Sequence, residues 1–367
     1  MEHPPSLARS PAASVLPEAA HNETIPGKGP HIKHVPLESI SKLAPYSALI
    51  LCIIFVIYFL FRFYILERFL LRKVYGKTYT RMDETTRRGF VNHHIAGGTK
   101  VAILILAAYP FIYVVFMTGT LHSRFAVSKH VTMGDILIIA AQALAAMYVF
   151  ELFYRPKISP VSVGHHIGAI MIGQSAIAIS LNLSKEKDAT IEFLLCLVWG
   201  AFDIISEFLP HITIIFYRVY PTDHRFLRKL FRMSAITTLI GTITETMLVF
   251  FLWGSLWNRW SLAFKVTTPI LHVIFAAAQL WGTYVLYTMH KKQCSIIANN
   301  EGQKDDVETT AQAEGKDVRV SEVESTTKTE EHKAERGETP IVSQYSASFD
   351  RFESSDSHAR RSSAVLK

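Results

Sequence analysis

Three cysteines in 367 residues are too few for a disulfide framework. Cys52 and Cys196 sit inside apolar stretches and read as inert thiols. Cys294 follows Lys291 and Lys292, where reversible palmitoylation is chemically accessible. Charged side chains are also scarce, at 19% of the chain, which argues against an ordinary soluble enzyme. The 16 histidines never form the repeated H-x-x-x-H and H-x-x-H-H boxes of membrane di-metal oxygenases. No repeated pairing of histidines on separate spans suggests haem ligation either, although His211 and His272 are conceivable axial ligands. No metal ligand and no cofactor are therefore expected.

What the chain has instead is long hydrophobic runs. Hydrophobic residues make up 49% of it, and they gather into blocks of about 20, the length that crosses bilayer hydrocarbon as a helix. Seven are visible: 46–66, 101–120, 134–154, 161–182, 191–217, 232–254 and 266–289. The expected fold is all-α, a polytopic helical bundle of about seven spans integral to a membrane. The first block starts too late and runs too long for a cleaved signal peptide and reads as a signal anchor. Seven of the 15 prolines fall within residues 1–44, which suggests an unstructured lumenal segment. Residues 45–84 read as the anchor with a basic cytosolic loop, and 85–290 as the transmembrane domain. Residues 291–367 read as a disordered cytosolic tail, rich in Ser, Thr, Glu and Lys and too poor in large apolar residues to build a core.

The net charge of +7 divides unevenly. Residues 294–367 carry 10 basic and 15 acidic side chains, leaving −5 there and +12 on the membrane part. That positive charge lies in short loops beside spans, which fits membrane orientation better than a nucleic-acid partner. Arg68, Arg72, Lys73, Lys77, Arg81, Arg87, Arg88 and Lys100 are expected between the first two spans. Arg218, Arg225, Arg228, Lys229 and Arg232 fall between the fifth and sixth. Both groups lie on one side, which the positive-inside rule makes cytosolic, with the N-terminus lumenal and the C-terminus cytosolic. Two glycosylation sequons, at Asn22 and Asn182, fall on the opposite, lumenal side.

Ionisable residues inside spans are functional candidates by default. On this orientation Glu151 lies near the cytosolic end of the third span, and His165 and His166 in the first turns of the fourth. Asp203, Glu207 and His211 recur every four residues, forming one stripe on the fifth. His93 and His94 stand just before the second. All occupy one layer, whereas Glu245 and His272 fall deeper. Such a layer is either a structural polar network or a partly wet cavity for a lipid headgroup, and the number of acids and imidazoles favours the cavity. Pro210 is expected to disturb the fifth span and free the carbonyl of Ser206. Gly164 and Gly168 bracket the histidine pair as a close-packing G-x-x-x-G seam.

The order of RRGFVNHHIAGG at 87–98, MYVFELFYR at 147–155, VGHHIGAIM at 163–171 and FDIISEFLPHITIIFYR at 202–218 resembles the TLC-domain family, which includes the ceramide synthases. The resemblance covers about residues 85–290. It matches His93 or His94, Tyr148 and Glu151, the His165-His166 pair and Asp203 to the family pattern, with Glu207 a looser match. It implies a lipid-handling protein of the endoplasmic reticulum or Golgi, active in lipid or sphingolipid homeostasis, with a membrane lipid as its partner. Homo-oligomers are admissible.

Alternatively, a ceramide-synthase-like N-acyltransferase would use acyl-CoA as co-substrate. His165 or His166 would act as general base, oriented by Asp203 or Glu207. Ala201-Phe202 stands where the synthases carry a histidine before the first acid, and LSKEKDAT lengthens the preceding loop. Both differences favour a non-synthase member. A trafficking or structural role and a seven-span receptor are the remaining rivals. The cytosolic placement of the polar layer argues against the receptor.

Overall fold

A computed structural model of the chain describes Ile32, Val35 and residues 37–182 and 189–317, with side chains as far as 302. Among the described residues all regular structure is helical, apart from one antiparallel bridge between Arg124 and Thr132. Seven helices result, one from each apolar block. They are α1 (Ala44–Thr80), α2 (Glu84–Val115), α3 (Met133–Tyr154), α4 (Pro160–Ser180), α5 (Ala189–Val219), α6 (His224–Ser255) and α7 (Leu262–Asp317).

All but α4 are long and apolar enough to cross a membrane. The fourth expected span, 161–182, does form a helix of 21 residues, Pro160–Ser180. His165, His166, Gln174 and its serines dilute its apolar character. The helix starts follow local chemistry. Asp83 caps α2 by accepting from the Thr86 amide at 3.0 Å. Thr132 and Asp135 close a reciprocal capping box on α3. Ser159 caps α4 ahead of Pro160, whose missing N–H costs nothing in the first turn.

α1 kinks at Gly76, whose φ is +50°, and contains a π-helical stretch, Phe61–Leu70. Its five-residue turns bring Arg62 onto Glu67 in a two-pronged contact of 2.9 and 3.2 Å. The expected loop at 67–84 is therefore mostly helix. α3 packs between α1 and α2, and α2 continues onto α5. From α5 the chain passes to α6 and then α7, which form the most extensive helix pair. α4 leans on α3 and α5 and touches α7.

Two expectations about the ends are corrected. Residues 37–44 are not loose: Ile40 is fully buried. Thr190 exchanges two hydrogen bonds with the Glu38 backbone, at 3.1 and 2.8 Å, and Ser41 donates to Asp135 at 2.5 Å. Polar partners on α3 and α5 hold this short segment in place. At the other end α7 runs past residue 290 to Asp317. Residues 318–367 and Asn22 lie outside the described residues.

Candidate functional site

The polar layer is built by four neighbouring helices and divides between two cavities. One, of about 420 Å³, is lined by His93 of α2, Glu151 and Arg155 at the end of α3, His165 and His166 of α4, and Glu207 and His211 of α5. The other, of about 330 Å³, is mostly apolar, walled by Ile103, Leu137, Ile177 and Phe193, with Tyr148, His165, Asp203 and Glu245 among its polar members. His165 and Gln279 line both, so the chambers share a wall.

At that wall His165 Nε2 lies 3.3 Å from Asp203 Oδ1 and 3.9 Å from Glu207 Oε1. The first distance satisfies an ion pair, yet neither atom of it makes a hydrogen bond. The two groups are close but not aligned for a hydrogen bond. Glu207 Oε2 accepts from Lys100 Nζ at 2.6 Å, and Lys100 also reaches the Asp203 carbonyl at 3.4 Å. Lys100 is wholly buried.

Glu151 is paired with Arg155 at 2.6 Å. His93 and His211 meet Nδ1 to Nδ1 at 2.9 Å, so one ring donates and the other accepts. His166 stacks on Tyr148 with ring centroids 4.6 Å apart, and the Tyr148 hydroxyl and His166 Nδ1 are buried without partners. Deeper in the bundle, Gln279 donates to Glu245 at 2.9 Å, and His272 contacts Thr246 at 3.1 Å.

Nine site residues were expected from the sequence, and eight converge: His93, Tyr148, Glu151, His165, His166, Asp203, Glu207 and His211. His94 does not. Its Nδ1 bonds the Phe90 carbonyl at 2.8 Å and its Nε2 meets the Tyr75 hydroxyl of α1 at 2.9 Å, because adjacent helical residues point about 100° apart. His93 also lies inside α2 rather than before it. Asn182 is exposed just past the end of α4. Two further site residues emerge. Lys100, expected among the loop charges, belongs to the buried cluster. Arg155 neutralises Glu151. Lys100 had a sequence signal: it follows His93 by seven residues, two helical turns along one face.

Pro210 does not interrupt α5. The Ser206 carbonyl, which loses its usual amide donor, accepts from Thr238 Oγ1 of α6 at 3.3 Å. Gly168 lets Phe275 of α7 approach, since a β-carbon there would stand 3.2 Å from its ring, whereas Gly164 borders open space. Comparisons with protein-family models, curated proteins and solved structures gave no match.

Proposed function

We propose that this chain is a seven-span lipid-binding protein of an internal membrane, of TLC type, holding one long-chain lipid across its two chambers. The headgroup would occupy the polar cavity beside His93, Glu151, His166 and His211, facing the cytosol. The hydrocarbon chain would fill the apolar cavity. The observation that carries this reading is the shared wall at His165 and Gln279: a polar chamber of about 420 Å³ abuts an apolar one of about 330 Å³. Both volumes lie in the range of about 300–1,000 Å³ typical of small-molecule sites. An amphiphile fits two such chambers better than a uniformly polar or apolar ligand does. Endoplasmic reticulum or Golgi residence and a role in sphingolipid homeostasis follow from the resemblance of the motif order.

The test is extraction and mass spectrometry of lipids retained by the purified full chain. A specific long-chain lipid at near-stoichiometric amount, lost on His165→Ala plus His166→Ala, is the expected result. The bulk detergent-lipid profile in both proteins would sink the reading and leave a trafficking or structural role.

A second reading, N-acyl transfer from acyl-CoA, is favoured by one contact. The buried imidazole of His165 stands 3.3 Å from Asp203 with no hydrogen bond of its own, as a general base awaiting a substrate proton would. Lipidomics of a deletion strain separates the two. An N-acylated lipid that disappears and returns only with the wild-type chain indicates catalysis, and full rescue by the double variant excludes it.

A further inference from the structure

The wall between the chambers contains ligand atoms that make no hydrogen bond to one another and lie close enough to share something between them. His165 Nε2 and Asp203 Oδ1 are buried without hydrogen-bond partners. Their side chains are 9% and 8% exposed. His165, Asp203 and Glu207 each offer a ligand atom, and the three atoms lie within 4.8 Å of one another.

Two of the three separations lie near those that a single metal ion imposes. Imidazole nitrogen and carboxylate oxygen bind zinc at about 2.0–2.2 Å, so two ligands of one tetrahedral ion stand about 3.3–3.6 Å apart. The His165–Asp203 separation of 3.3 Å fits, and the His165–Glu207 separation of 3.9 Å needs only a small carboxylate adjustment. We infer that His165, Asp203 and Glu207 form a mononuclear site for a first-row divalent cation, with zinc the best match to one imidazole and two carboxylates.

Lys100 completes the site without competing for it. Its ammonium takes Glu207 Oε2 at 2.6 Å and leaves Oε1 turned toward His165. Two carboxylates and one ammonium leave a net charge of −1, which a dication turns to +1. The remaining charge suits a water-derived hydroxide or a ligand oxygen in the fourth position. Three protein ligands with one open position is the pattern of reactive zinc sites rather than structural ones. The open position would face the wall that both chambers share, next to the polar group of the proposed lipid. The sequence hides this set because α5 supplies its two carboxylates and α4 its one imidazole, with no histidine box. The inference rests on the residues of that cavity and not on what fills it.

The experiment uses the purified full chain, stripped with chelator, reloaded with zinc and desalted, with metal and bound lipid measured separately on one sample. About one zinc per chain is expected, and cobalt in its place should give a visible absorption that saturates at one equivalent. His165→Gln and Asp203→Asn should each weaken zinc binding by about 100-fold or more while helix content, read by circular dichroism, stays unchanged. Wild-type zinc no higher than that of folded H165Q or D203N overturns the site. If neither variant folds, the wild-type cobalt titration decides, and the absence of a saturable band overturns it. Zinc without lipid sinks only the lipid reading, and lipid without zinc sinks only this one.

Discussion

Lys100 on α2 and Glu207 on α5 form an ion pair of 2.6 Å in which the ammonium is wholly buried. A buried charge that loses its partner is strongly destabilising, although the intact pair need not beat an apolar replacement. Lys100→Met should therefore cost about 3–5 kcal/mol, and adding Glu207→Met should recover most of that loss. Chemical unfolding of the two variants in detergent measures the coupling. Equal losses in the single and double variants would show that the pair is not what holds α2 to α5 here.

Outside the spans, Asp83 gives α2 a pH-sensitive start. Burial alone would raise the pKa of its carboxyl, but hydrogen bonds from Thr86 and Thr85 and the charge of Arg218 outweigh it and hold the group below its ordinary value. A carboxylate depressed in the folded state contributes stability above its unfolded pKa and loses it as pH falls through the folded one. Asp83→Ala should cost about 1 kcal/mol at neutral pH. The gap between variant and wild type should narrow as the pH falls through the depressed folded-state pKa of Asp83 and the wild-type carboxylate itself protonates. Unfolding curves at pH 7 and pH 3 test the sign, and a gap that widens in acid would contradict it.

The seven helices were legible because bilayer hydrocarbon demands contiguous apolar residues, and each apolar block lies largely inside one helix. The stripe of Asp203, Glu207 and His211 was legible for a second reason: spacing by four places residues on one face whatever the neighbours. Lys100 was misread because charge counting treats a lysine at the edge of an apolar run as a loop residue. Only its partner on α5 reveals it as buried. The split of His93 from His94 depends on which helix flanks each side of α2, and no local pattern states that. The order in residues 37–44 is equally non-local, since Asp135 and Thr190 supply the partners from far along the chain.

Gly134, in the first turn of α3, is where that N-terminal segment is admitted. Its amide donates to the Leu121 carbonyl at 2.8 Å. A β-carbon in its place would overlap the Ile40 carbonyl oxygen and stand 3.1 Å from the Leu121 oxygen. Both are backbone atoms and cannot rotate aside. Gly134→Ala should therefore push residues 37–44 outward and cost about 1–3 kcal/mol. Hydrogen exchange at the Leu43 amide, now bonded to Ser41 Oγ at 2.8 Å, should accelerate by about 10-fold or more as local opening becomes easier. Unchanged exchange would mean that the segment is held elsewhere.

Tyr148 separates the packing contribution of this region from its binding contribution. Its ring stacks on His166, while its hydroxyl is buried with no partner. Tyr148→Phe keeps the ring and removes an unsatisfied polar atom, a cost of about 1–3 kcal/mol when such an atom is left unmade. The lipid-free variant should then be as stable as wild type or more so. Tyr148→Ala empties the stack and should lose about 3–5 kcal/mol. If a polar group of the bound lipid reaches that hydroxyl through the wall shared by the two chambers, Tyr148→Phe should retain about 10-fold less lipid, the equivalent of one lost hydrogen bond, despite its undiminished stability. Thermal unfolding after delipidation and retained lipid by mass spectrometry must therefore move independently in Tyr148→Phe. A parallel fall in both would assign the hydroxyl to packing and take it out of the binding site.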